Sequence, residues 1–342
     1  MSKRNVPLAP APGEQEEGGP EAAVSVPNQE KADRRGPVRR PSMAAWVSLF
    51  IVWLVWGSTY LAIRVGVETI PPLLLAAARN LVAGLIMFPL ALRSHRAAAR
   101  APGGTGSSWP SWAQWRGCAI VGVLLLVANG AVGIGEKTVP SGLAALLVAT
   151  VPLWLLGIDA GLNHARLGLA PLAGLALGLA GVALLSGLGT GGKVSVTGAL
   201  TILGAAAMWA LGTIMARRVT IPASPALASG MQLLSGGIAL TVLSAVTGEF
   251  GSLRLAHVSA GSWFALGYLI VMGSIVAFSA YGIAVRALPT ATVATYAYVN
   301  PVIAVLLGTL ILNERLTPAM FGGGALIVGA VVLVVRRSPP AH

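Results

Sequence analysis

The chain is poor in charge, in acid and in cysteine. Only 10% of its 342 residues are Asp, Glu, Lys or Arg, against roughly a quarter in a soluble domain. Apolar residues make up 55% of the chain, and the mean hydropathy is +0.78. Together with repeated long apolar runs, this deficit excludes a water-soluble core and predicts an all-α integral membrane protein. The single cysteine, Cys118, excludes a disulfide framework and any multi-cysteine metal site. Its apolar neighbours make it an inert buried thiol.

Catalytic sets are also missing. His95, His164 and His257 are too far apart to form a metal cluster with carboxylates, so neither a metal nor a cofactor is expected. A Gly-rich phosphate loop with its lysine is lacking, which speaks against ATP hydrolysis by this chain. A membrane-embedded enzyme acting on lipid or an isoprenoid needs paired carboxylates, a histidine cluster or an activated nucleophile at membrane depth, and the sequence shows none. Driving energy must then come from a gradient.

The net charge of +12 does not point to nucleic acid, because of where it lies. Residues 1–40 carry a net of only +1, and their Pro, Gly, Glu and Arg content predicts a disordered tail over residues 1–42. The first apolar run is too long for a signal peptide. Ten apolar runs follow, each near the ~20 residues that span a bilayer: 46–66, 71–92, 117–135, 141–162, 168–188, 197–218, 224–247, 263–285, 289–312 and 317–335. The long connection after the second run ends in Trp109, Trp112 and Trp115, a spacing that predicts a short interfacial helix ahead of the third span. With a cytoplasmic N-terminus, that side collects Arg93, Arg96, Arg100, Arg116, Arg166, Arg217, Arg218, Arg286, Arg336 and Arg337. The other side holds Glu68, Glu136, Glu249 and Glu314 with fewer bases. The positive-inside rule therefore places both termini, including residues 338–342, in the cytoplasm.

The chain repeats itself. Lys137–Leu167 aligns without a gap on Arg286–Leu316, setting Pro140 on Pro289 and Pro152 on Pro301; earlier, Trp56 falls on Trp209, Arg64 on Arg217, Pro72 on Pro225 and Gly84 on Gly237. Residues 43–190 and 191–337 are thus two repeats of five spans each. An odd number of spans inverts one repeat relative to the other, and inverted halves can rock about a central cavity to expose it to each side in turn.

Within this pattern, Trp56-Gly57-Ser58-Thr59-Tyr60 with Arg64, Pro71-Pro72 and Arg79 resembles the opening of an EamA-type repeat. Asn300-Pro301 followed by Asn313-Glu314-Arg315-Leu316-Thr317 resembles its close. The resemblance is to the drug/metabolite transporter superfamily and covers about residues 44–336. It implies ten helices around a central cavity and export of small metabolites across a bacterial inner membrane. Amino acids or related compounds lead the substrate classes; efflux of cationic drugs or other hydrophobic compounds and passive facilitation are the alternatives. Proton coupling enters only through the family, and nothing in the sequence fixes the oligomeric state. In the first repeat the expected Glu-Arg-Leu-Thr reads Ala165-Arg166-Leu167-Gly168, so any role of Glu314 is asymmetric or structural.

Several residues within the spans are candidates for contact with a small-molecule substrate. Arg79 lies about two turns into the second span, where an arginine costs at least ~2.5 kcal/mol on insertion scales. It either meets a substrate carboxylate or ties to helix carbonyls or Glu136; its counterpart in the second repeat is Gln232. Trp53, Trp56, Gly57, Tyr60 and Arg64 share one face of the first span. Trp56 with its equivalent Trp209 either flanks the cavity or packs between helices. Thr292, Tyr296 and Asn300 share a face of the ninth span, where Pro301 frees the Ala297 carbonyl. Asn129 and Tyr281, each within a span, need partners. Gly174, Gly178, Gly322–Gly324 and Gly329 give small faces for close helix packing.

Overall fold

In the computed structural model, residues 42–101, 107–163, 169–185, 195–288, 290–293 and 295–337 are described. The tail, the Ala165–Gly168 motif, the junction at residues 190 and 191 and the segment 338–342 lie outside them. The described residues form fourteen α-helices and no strand: α1 (Met43–Gly66), α2 (Pro72–Arg100), α3 (Trp112–Glu136), α4 (Ser141–Val148), α5 (Val151–Leu162), α6 (Leu169–Leu185), α7 (Val196–Ala216), α8 (Pro225–Val246), α9 (Glu249–Ser252), α10 (Ala260–Tyr268), α11 (Ala277–Ala287), α12 (Thr290–Val293), α13 (Tyr296–Leu312) and α14 (Pro318–Arg337).

Local chemistry sets many of the helix starts. Ser42, Ser111, Ser195 and Ser259 each accept a backbone N–H of the first turn, and Ser111 with Gln114 forms a reciprocal capping box. Pro72 and Pro225 open α2 and α8, where a missing N–H costs nothing. That capping box overturns the expected interfacial helix: Trp112 and Trp115 belong to the first turns of α3 itself. Trp109 lies before it, with the Arg96 guanidinium 3.8 Å from its ring centre. The α2 helix runs on to Arg100, well past the end of the apolar run, because the Arg- and Ala-rich segment after Leu92 favours helix.

Among the described residues, seven helical stretches are long and apolar enough to cross a bilayer: Met43–Gly66, Pro72–Arg100, Trp112–Glu136, Ser141–Leu162, Val196–Ala216, Pro225–Val246 and Ala260–Tyr281. Val299–Leu312 and Pro318–Ala330 are shorter apolar helices, and α6 has 17 residues. Two of the seven are not regular α-helix. The fourth breaks between α4 and α5, where Pro152 cannot donate to Val148. The seventh passes through a π-helical segment, Leu269–Val276, between α10 and α11.

The helices pair as a two-fold arrangement requires. The most extensive interfaces join α2 to α8 and α6 to α14, each a helix with its repeat equivalent. The remaining contacts come in matched sets: α1 packs on α10–α11 and on α13, while α7 packs on α3 and on α4–α5. The α2–α8 crossing shows the symmetry atom by atom. A side chain on Gly84 would meet the backbone N of Leu234 at 2.8 Å, and one on Gly237 would meet the backbone N of Leu81 at 2.9 Å. Both pairs are related by the register that sets Trp56 on Trp209. Glycine is required at both points because the two backbones touch there.

The connections α1–α2, α3–α4, α8–α10 and α13–α14 meet at one end of the bundle, called here the far face. The start of α1 and the ends of α2, α5 and α7 define the near face. At the near face Arg218 pairs with Asp159 at 3.9 Å and donates to Asn163 Oδ1 at 2.8 Å.

Candidate functional site

A cavity of about 270 Å³ opens where α1, α2, α3, α4–α5, α7, α11 and α13 converge. Of the residues singled out in the sequence, Trp56, Tyr60, Arg79, Asn129, Trp209, Tyr296 and Asn300 line it. Tyr281 stands directly behind the lining. Its ring centre is 5.2 Å from that of Trp56 and 6.1 Å from that of Tyr296. Gln232 and Thr292 are not among the lining residues. The Gln232 backbone packs on Gly122 in the α3–α8 interface. The Thr292 carbonyl ends a hydrogen-bonded chain in which Trp53 Nε1 donates to Thr295 Oγ1 and Thr295 Oγ1 donates onward.

Aromatic side chains form one wall. Trp56 lies edge-on to Phe278 at 5.6 Å and to Tyr296 at 5.2 Å, both favoured geometries for ring pairs. Trp209 lies in a separate cluster with Ala128, Val132 and Ala205, and Tyr60 packs against the same group. Each repeat thus contributes one tryptophan to the cavity. The Asn300 side-chain amide lies 3.1 and 3.2 Å from the Tyr296 and Trp53 carbonyls, a setting of acceptors that assigns its nitrogen to that side and ties α13 to α1 beside the ring cluster.

Among the described residues Arg79 is the only charged one in the lining, and it is 5% exposed. Its Nε donates to Ser274 Oγ at 2.9 Å. A side chain at Gly273 would lie 3.3 Å from its Nη2, so the guanidinium rests on the π-helical segment. That segment supplies both the hydroxyl and the bare backbone that seat the arginine, and π-segments recur at functional sites. Among the described residues Ser274 is its one hydrogen-bond partner. Glu136, considered from the sequence as a structural mate for Arg79, forms no ion pair with it.

Sequence reasoning missed Thr59, Ile63, Val132, Val148, Ala149 and Phe278 as lining residues. Thr59 carried a signal, since it follows Ser58 on the aromatic helix; the small and aliphatic residues carried none. The α5 wall, Val151, Pro152 and Leu155, is half-buried, whereas Ser141–Leu147 of α4, toward the far face, is wholly buried.

At the far face two carboxylates reach across the repeats. Glu249, which follows α8, accepts the backbone N–H of Leu73 and Leu74 at the start of α2, at 3.3 and 2.9 Å. Glu314, which follows α13, accepts those of Ser141 and Gly142 at the start of α4, at 2.8 and 3.2 Å, and the Ser141 hydroxyl as well. Each satisfies orphan helix donors and meets the positive end of a helix dipole.

Comparison with known proteins places this architecture. The model of the EamA-like transporter family matches twice, over residues 43–187 and 196–336. The chain belongs to the EamA-like transporter family. It is 38% identical over 294 residues to the inner membrane transporter YedA of Escherichia coli (strain K12), covering 84% of this chain and 89% of that one. It is 28% identical over 304 residues to a probable terminal-alkyne amino-acid exporter of Streptantibioticus cattleyicolor, covering 87% and 95%. It is also 28% identical over 298 residues to a probable amino-acid metabolite efflux pump of Escherichia coli (strain K12), covering 84% and 94%. The EamA-like chain is therefore a membrane transporter of two-repeat architecture, and its cavity lies where the two repeats meet.

Proposed function

We propose that the chain exports small organic metabolites bearing a carboxylate, amino acids or related compounds first, by alternating access about the central cavity. One observation carries the reading: among the described residues the cavity holds a single charged side chain, the Arg79 guanidinium, together with aromatic rings. A planar guanidinium suits a carboxylate, and Trp56, Tyr296 and Trp209 offer faces for an apolar or aromatic side chain. The names of the relatives in Streptantibioticus and Escherichia support the substrate class. In this reading Trp56, Tyr60, Arg79, Asn129, Trp209, Tyr296 and Asn300 contact substrate, and Tyr281 backs them.

The same reading counts ten spans in two inverted repeats, with α6, α13 and α14 completing the set, in a bacterial inner membrane. The bases clustered at the near face support placing that face, and both termini, in the cytoplasm. A second reading, efflux of organic cations, draws on the ring cluster around Trp56, whose π faces attract cations. Arg79 opposes it, since no carboxylate lines the cavity among the described residues.

Counterflow in proteoliposomes separates the two. Liposomes loaded with a mixed amino-acid pool are expected to take up labelled amino acids, and liposomes loaded with an organic-cation pool are expected not to take up labelled cations. Exchange confined to the cation pool would reverse the assignment.

A further inference from the structure

We propose that Glu136 is the proton-carrying group of the transport cycle; the inference rests on the transport reading above. The sequence places Glu136 just past the end of an apolar run, on the side opposite the cytoplasm. The structure buries it completely, at 0% exposure, and neither carboxyl oxygen has a hydrogen-bond partner among the described residues. An ionised carboxylate without partners in an apolar interior is costly, and taking up a proton removes the charge.

Its surroundings fit a site reached from two sides. Tyr60 and Arg64 lie one turn apart on α1. Tyr60 and Val132, the latter one turn before Glu136 on α3, line the central cavity. Arg64 lines a second hollow at the far face, with Glu68, Lys137, Thr138 and Glu314. Glu136 is thus wedged between the cavity and the hollow. The Arg64 guanidinium donates to the Glu136 backbone carbonyl and not to its carboxyl group.

The charged groups about Glu136 are Arg64 from α1, which donates to its carbonyl, and Glu68, Lys137 and Glu314 around the hollow that Arg64 lines, with the Tyr60 phenol on the cavity side. Neither α7 nor α8, which pack along α3, nor α4 carries a titratable side chain. On α2, Arg79 is engaged with Ser274. When the proton leaves, the carboxylate remains beside Arg64, which can turn from the carbonyl to it. The register that sets Lys137 on Arg286 sets Val285 on Glu136, so the second repeat has no equivalent acid. One proton is taken up on a Glu136 carboxyl oxygen from one side and released from it to the other in each cycle.

The test uses the full chain in proteoliposomes with a pH-sensitive dye in the lumen and whichever pool, amino acid or organic cation, supports counterflow. For the unmodified chain, an imposed pH gradient is expected to drive accumulation of that pool, and the pool to drive proton movement. Glu136→Gln is expected to lower gradient-driven accumulation and proton movement at least tenfold while counterflow stays above that of empty liposomes; Glu136→Asp is expected to recover part of the coupling. Counterflow that is indifferent to a pH gradient in the unmodified chain, or coupling that survives in Glu136→Gln, would overturn the inference and leave the transport reading standing. Absence of counterflow with both pools would instead count against the transport reading. An independent readout needs neither variant nor substrate. Dicyclohexylcarbodiimide, which modifies protonated carboxyl groups in apolar surroundings, is expected to label Glu136 of the folded chain, with labelling falling as pH rises. An unlabelled Glu136 on peptide mapping would overturn the inference.

Discussion

Arg79 concentrates the energetics of the cavity in one residue. Burying a guanidinium at membrane depth is costly, and a single neutral hydroxyl, Ser274, compensates only part of that cost. In the proposed reading a substrate carboxylate would supply the remaining hydrogen bonds, each worth about 1.5–3 kcal/mol when charged. Arg79→Gln is therefore expected to lower amino-acid counterflow about tenfold or more at an unchanged level of folded protein. Ser274→Ala, which removes only the seat, is expected to produce a smaller loss, and a chain that transports equally well after Arg79→Gln would remove the arginine from the site. Residue identity made Arg79 legible in the sequence, because a lone cation in an apolar span needs an explanation. Ser274 was not legible: one serine among apolar residues has no signature until the helix geometry brings it under the guanidinium.

At the scale of helices, two features position the site: the π-helical segment under Arg79 and the carboxylate caps at the far face. The caps are asymmetric. By the repeat registers, Ala165 occupies the position equivalent to Glu314 and Arg96 that of Glu249, so the near face has no matching acids. Each cap is worth about 0.5–2 kcal/mol, and together they are expected to restrain opening of the cavity toward the far face. The double change Glu249→Gln with Glu314→Gln is expected to raise, about tenfold, the rate at which a membrane-impermeant thiol reagent added from the far side modifies a cysteine placed at Val132 in the cavity wall. An unchanged rate would show that other contacts hold the closure. The missing acid at position 165 was visible in the sequence, but its meaning was not. Glu314 lies 173 residues from Ser141 and Glu249 lies 176 from Leu73, and no local pattern joins an acid to a helix start at that separation. The capping box at Ser111 was local, yet the tryptophan spacing masked it.

For the molecule as a whole, composition and internal repetition carried most of the fold. Apolar run length reports bilayer crossing directly; Gly84 and Gly237 were visible only as repeat equivalents, and the structure makes them the contact on which the halves cross. The symmetry of that contact makes a quantitative prediction. Gly84→Val and Gly237→Val force equivalent backbone clashes and are each expected to destabilise the detergent-solubilised protein by about 1–3 kcal/mol, with similar drops in the thermal midpoint. Strongly unequal drops would mean that the two halves do not share the crossing. The cavity was less legible than the fold because its walls are largely aliphatic. Val132, Val148 and Ala149 are cavity residues only by virtue of the two repeats meeting there.

The central claim is that Arg79 selects a carboxylate inside an aromatic cavity. Its most direct measurement is counterflow of an aromatic amino acid compared with the amine left when its carboxylate is removed, at equal concentrations and on the same proteoliposomes. Exchange of the amino acid at least tenfold faster than the amine, with that preference lost in Arg79→Gln, is the predicted result. Equal or faster exchange of the amine would contradict the account.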